Sequence, residues 1–129
     1  MKKIFTGFAL SVLMLLPVSE ASASPRVPAQ FLAAAEHYCE SRECVIWVMN
    51  TTAAENCHRA RAVHKNDDGS VDRGPAQINS KNPPPWHRGS VWSVDAGVRT
   101  MAEGHRRGRL ARKRWVGSRR PIPAGCAWR

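Results

Sequence analysis

Two carboxylates, Glu55 and Asp72, stand on either side of a short acidic turn, Asn66-Asp67-Asp68-Gly69. Residue types of this kind do one of two things. They bind a hard cation, or they divide acid and base work between them. The cation reading fails on spacing. An EF-hand needs oxygen ligands at positions 1, 3 and 5, glycine at 6 and glutamate at 12. With Gly69 at the sixth place, the first is His64 and the twelfth is Pro75. Asn66 and Asp67 are then turn formers, with Gly69 able to take a positive φ.

The acid–base reading fits glycosidic bond cleavage. That reaction needs a proton for the leaving oxygen and a group that stabilises the positive sugar carbon. A carboxylic acid can give the proton near neutrality only if its pKa is raised. Glu55 ends the stretch ECVIWVMNTTAAENC (43–57), which is apolar almost all round over Val45 to Met49 and too long for a strand. A buried helix is expected. Glu55 follows Val48, Thr51 and Thr52 on one face. Burial against Trp47 or Val48, and the negative end of the helix, would both raise its pKa. Asp72, in a wetter turn, would stay ionised and act as the second carboxylate.

From Glu55 to Ser80 the chain resembles the lysozyme superfamily, both the small secreted bacterial lytic transglycosylases and c-type lysozymes. The shared pattern is a glutamate ending a helix, then N-x-x-G-S-x-D-x-G-x-x-Q-I-N-S. Here that is Asn66, Gly69, Ser70, Asp72, Gly74, Gln77, Ile78, Asn79 and Ser80. The stretch covers about a quarter of the chain that follows the leader, and Ser93–Gly104 is similar to a later helix of the family. The resemblance implies a lysozyme-like fold and cleavage of peptidoglycan. Glu55 would be general acid and then general base. In lysozymes the counterpart of Asp72 stabilises or captures the sugar cation and water completes hydrolysis. In lytic transglycosylases the muramic acid 6-hydroxyl attacks instead and leaves a 1,6-anhydro end, the outcome expected here. Gln77 and Asn79 would hold sugar or acetamido groups while Ile78, between them on an extended segment, packs inward. The chain departs from the family in four places, the first being Cys57 and His58 in place of the usual run toward Asn-Pro. Asn56 stands where serine usually follows the glutamate. The loop reads Gly74-Pro75-Ala76-Gln77. No Tyr-Asn segment follows, since Tyr38 is the one tyrosine. Trp86, after three prolines, could stack on a sugar ring or serve as a core or rim aromatic.

These residues need a scaffold. Met1-Lys2-Lys3, an apolar run from Ile4 to Val18 and Ala21-Ser22-Ala23 form the three parts of a secretory leader. Cleavage is expected after Ala23, with Ser24 as the alternative. That leaves 24–129 as one small domain in the periplasm or outside the cell. Four cysteines, Cys39, Cys44, Cys57 and Cys126, then reach an oxidising compartment. Two disulfides are expected, and three pairings are possible. One of them, Cys57–Cys126 with Cys39–Cys44, would tie the C-terminus back to the core. The spacing of these cysteines with five histidines fits no zinc pattern well. No metal and no cofactor are expected.

The pattern of the domain is mainly α (α+β): helices around a cleft with one small β-hairpin. Phe31, Leu32, Ala35 and Tyr38 share a helical face within 29–39. Residues 62–65 and 70–72 form the hairpin. Residues 82–86 are extended, because three prolines exclude helix. Ser93 caps a helix with Val94, Val98, Met101 and Ala102 buried, running to about Arg114. The tail 117–129 is irregular.

The full chain carries 20 Lys+Arg and 10 Asp+Glu, for a net charge of +10. The excess lies late. No acidic residue follows Glu103, while the stretch from Arg106 to Arg120 is densely basic. Such a field favours anionic wall polymer, anionic lipid or nucleic acid. Secretion favours the wall polymers, and no nucleic-acid motif accompanies the arginines. A monomer acting on peptidoglycan is expected, with a secretion, pilus or conjugation apparatus as the partner system such enzymes accompany. The reading from another class is a basic scaffold that binds wall, lipid or partner without turnover.

Overall fold

The structure, a computed structural model, describes residues 28–128. The leader expected at 1–23 lies outside them. Helix α1 (Ala29–Tyr38) buries Phe31 and Ala35. Helix α2 (Arg42–Asn56) opens on Ser41, whose hydroxyl accepts the Cys44 N–H at 3.1 Å. This satisfies one of the donors a helix start leaves open. Val48, Met49, Thr51, Thr52 and Ala53 are fully buried along it. The Thr52 hydroxyl is satisfied by bonding back to the carbonyls of Val48 and Met49.

The end of α2 is fastened unusually firmly. Cys57 and His58 both take left-handed backbone, with φ of 54° and 55°. The Cys57 N–H bonds the Ala53 carbonyl, which closes the helix. Buried Asn56 donates from Nδ2 to the Pro75 carbonyl at 2.6 Å, and its Oδ1 accepts the Arg59 N–H. The residue standing in the place of serine therefore ties the helix end to the loop after the hairpin.

Strands β1 (Val63–Lys65), β2 (Val71–Arg73) and β3 (Ile78–Asn79) form one antiparallel sheet in that order. The sequence led to a two-stranded hairpin, so β3 is an addition. It is only two residues long and lies within the segment 77–79 expected to be extended, with Ile78 buried. His64, Asp72 and Asn79 stand opposite one another across the three strands. Residues 82–86 form neither helix nor strand.

Helix α3 (Val94–Arg106) starts at Ser93, whose hydroxyl accepts the Ala96 N–H. Val94, Val98, Met101 and Ala102 are buried on it. It ends earlier than the expected Arg114. Gly108 takes φ +98°, a conformation a right-handed helix cannot pass through, and only the short helix α4 (Arg109–Arg112) follows. The C-terminal segment then returns to the core. Trp115 is 3% exposed, donates from its indole nitrogen to the Ala76 carbonyl at 2.8 Å and meets Trp47 edge-on. A 3-10 turn (Val116–Arg119) packs on α2. Trp128 donates to Asn50 Oδ1 at 2.8 Å. Of the three possible pairings the chain forms Cys39–Cys44 and Cys57–Cys126. The second disulfide spans 69 residues and pins the returning segment beside the end of α2. Two disulfides suit an oxidising compartment. Among the described residues no helix is long and apolar enough to cross a membrane.

Candidate active-site cleft

A cleft of about 450 Å³ opens between the sheet, the end of α2 and the returning segment. Glu55, His64, Asp72, Gln77, Asn79, Trp115, Val116 and Arg120 are among the residues that line it. The volume suits a small-molecule or sugar-sized group.

Glu55 is half-buried at the penultimate position of α2. Its Oε1 accepts the main-chain N–H of Gly117 at 2.5 Å. A Cβ on residue 117 would lie 2.5 Å from Glu55 Cγ, so only glycine admits the carboxylate there. Burial pushes the Glu55 carboxyl above its ordinary range. The Gly117 N–H pulls it back, as does the Arg120 guanidinium, while the charge of Asp72 adds to the rise. Val48 is fully buried in the core and Trp47 packs against Trp115 and His105. The returning segment reaches the carboxyl at Gly117.

Asp72 lies mid-sheet on β2, and its Oδ1 accepts Asn79 Nδ2 at 2.7 Å. Asn79 also donates to Ser70 Oγ at 2.9 Å. Its Oδ1 accepts the N–H groups of Lys81 and Asn82 at 3.0 and 2.9 Å. Both donor hydrogens and the acceptor of this amide are thus engaged within the protein. Asn79 thus lines the cleft while its amide is tied to Asp72, Ser70 and the chain that follows. Gln77 takes φ 48° in the turn before β3, and its Nε2 donates to the carbonyls of Gly74 and Ala62 at 2.9 and 3.1 Å. Its nitrogen braces the loop, and Oε1 is the atom left to accept from a ligand.

Trp86 does not line the cleft. Its indole N–H bonds the Thr100 carbonyl on α3, and the guanidinium groups of Arg107 and Arg114 lie 4.7 and 5.5 Å from its ring centre. Trp86 is partly buried and packs against the core. Trp115 is the aromatic that reaches the cleft.

The sequence reading missed Gly117, Trp115 and Arg120. The apolar pair Trp115-Val116 inside an otherwise basic tail was the available signal, since apolar side chains set among charges return to a core. Among the described residues no group of three or more His, Cys, Asp and Glu side chains is placed to hold a metal ion.

The arrangement has a definite chemical capacity. One carboxyl is biased toward its neutral form beside a second, firmly oriented carboxylate, in an open polar cleft. Two carboxyl groups in such different surroundings can divide acid and base work between them. No family model, curated protein or solved structure matches the chain.

Proposed function

We propose that this protein has a lysozyme-like fold and cleaves the β-1,4 bond between N-acetylmuramic acid and N-acetylglucosamine in peptidoglycan. The observation that carries this is Glu55, half-buried and raised in pKa, in the same cleft as Asp72. The motif resemblance from Glu55 to Ser80 supplies the substrate.

Glu55 gives its proton to the glycosidic oxygen as the bond from that oxygen to C1 breaks. Asp72, aligned by Asn79, stabilises the positive charge at C1. The Glu55 carboxylate then takes a proton from the incoming hydroxyl, whose oxygen bonds C1. Gly117 and Arg120 hold and moderate this carboxylate so that it can both give and receive. Gln77 Oε1 accepts from a sugar hydroxyl or acetamido N–H.

The incoming hydroxyl is the muramic acid 6-OH in a lytic transglycosylase, as the likeness to the small secreted enzymes supports. Such an enzyme would open the wall locally for a secretion, pilus or conjugation assembly. Hydrolysis by water is the second reading, and Asp72 favours it, because a fixed carboxylate beside C1 is what a muramidase uses. The released fragments separate the two by mass, since the anhydro end is lighter by one water. Outside these, a wall-binding scaffold without turnover accounts for the charge but leaves the raised Glu55 unexplained. Glu55→Gln abolishing wall cleavage with the fold intact supports the enzyme, and retained turnover removes it.

A further inference from the structure

The basic run from Arg106 to Arg120 does not act as one uniform field. Arg106 and Arg107 are engaged with Glu103, and Arg106 also with Glu40. Arg114 bonds the Asn82 carbonyl and lies over Trp86. Arg109, Lys113 and Arg119 are exposed and, among the described residues, pair with no carboxylate. No acidic residue follows Glu103 to offset them.

Leu110 stands among these cations with 79% of its surface exposed. Lys113 and Arg114 follow it by three and four residues, so they border it on the same turn of chain. Val116, six residues further along the chain, is 43% exposed and lines the cleft. A lone exposed leucine is ordinary on a protein surface. This one is the tip of a short helix that buries no residue of its own.

We propose that α4 and the residues after it form a docking knob for an anionic lipid surface, with Leu110 entering the acyl boundary and Arg109, Lys113 and Arg119 on the headgroup phosphates. A soluble polyanion would use the charges alone. An exposed leucine within the ring of charges adds affinity only where an apolar layer lies beneath the phosphates. Arg114 and Val116, two and four residues after the end of α4, line the cleft, so docking would bring the cleft close to the membrane surface. This inference does not depend on the glycosidase reading.

The test is co-sedimentation with vesicles of about one part phosphatidylglycerol to three parts phosphatidylcholine, against phosphatidylcholine alone. The chain from Ser24 onward is used, with both disulfides formed. It retains every buried core residue and removes the apolar leader, which would bind vesicles by itself. The expected result is binding that needs phosphatidylglycerol and weakens with salt. Arg109→Gln with Lys113→Gln weakens it about 25-fold, taking about fivefold per cation near the surface. Leu110→Ser weakens it about tenfold, and leaves binding to soluble polyphosphate unchanged. Arg73→Gln, a single charge lost on the sheet, has little effect on vesicle binding, far less than the roughly fivefold taken per cation on α4. Vesicle binding insensitive to Leu110→Ser would mean a soluble polyanion is the ligand and overturn the proposal. Equal loss with Arg73→Gln, or equal binding to both vesicle types, would overturn it too.

Discussion

The main-chain N–H of Gly117 donates to Glu55 Oε1 across 62 residues of sequence. This contact joins the end of α2 to the returning C-terminal segment, and both the position and the acidity of the carboxyl depend on it. Gly117→Ala places a methyl 2.5 Å from Glu55 Cγ. The carboxyl must swing away. We expect kcat to fall about 100-fold, the cost of displacing a catalytic group by about an ångström, with KM little changed. Steady-state kinetics checks this, and a KM effect alone would argue against a role at the carboxyl.

The pH dependence follows from the neighbours of Glu55. Its raised pKa means the proton-giving form is lost as pH rises through that value, which sets the alkaline limb of activity. Arg120 lowers the pKa, so Arg120→Gln moves the limb to higher pH. Asp72 raises it, so Asp72→Asn moves the limb to lower pH while reducing the rate. Stability has its own sign. The folded pKa lies above the unfolded one, so the fold favours the protonated form. The protein is most stable below the unfolded pKa and loses that increment as pH rises through the folded value. Glu55→Gln therefore gains in Tm relative to the wild type at neutral pH, and the gain vanishes in acid. Thermal melts across pH test this.

Asn79 is the positioning residue for Asp72. Asn79→Ala removes the bond to Asp72 and leaves the Lys81 and Asn82 N–H groups without their acceptor. Stability should drop by about 1–2 kcal/mol. The rate should fall nearly as far as in Asp72→Asn, and the double variant should be little worse than either single one. Additive losses in such a cycle would separate the two residues.

Much of this scaffold was legible in the chain. Ser41 and Ser93 mark helix starts by their own chemistry, although only Ser93 was read as a cap. The buried face Val94, Val98, Met101 and Ala102 follows the helical period. The hairpin came from Asn66 to Gly69 as turn formers. The site was legible only where it is local. Glu55 and Asp72 were visible because motif and pattern carry them. Gly117, Trp115 and Arg120 were not, because they reach the cleft through a fold-back with no periodicity. The roles of Asn79 and Gln77 depend on which atoms their neighbours already occupy, and a sequence does not record that.

The disulfide beside the cleft should matter more than the other. Cys57–Cys126 closes a loop of 69 residues, for which chain entropy gives about 4 kcal/mol. Cys39–Cys44 closes one of 5 and gives less. Replacing Cys57 and Cys126 by serine should lower the urea midpoint more than replacing Cys39 and Cys44. It should also lower activity under conditions where the variant is still folded, since the freed segment carries Gly117. Equal effects of the two replacements on activity would remove that segment from the site.

The most direct measurement is a digest of purified peptidoglycan by the wild type and by Glu55→Gln, with mass analysis of the soluble fragments. We expect muropeptides cut at muramic acid, carrying 1,6-anhydro ends, from the wild type and none from the variant. Release of the same fragments by Glu55→Gln, or no release by the folded wild type, would contradict the account.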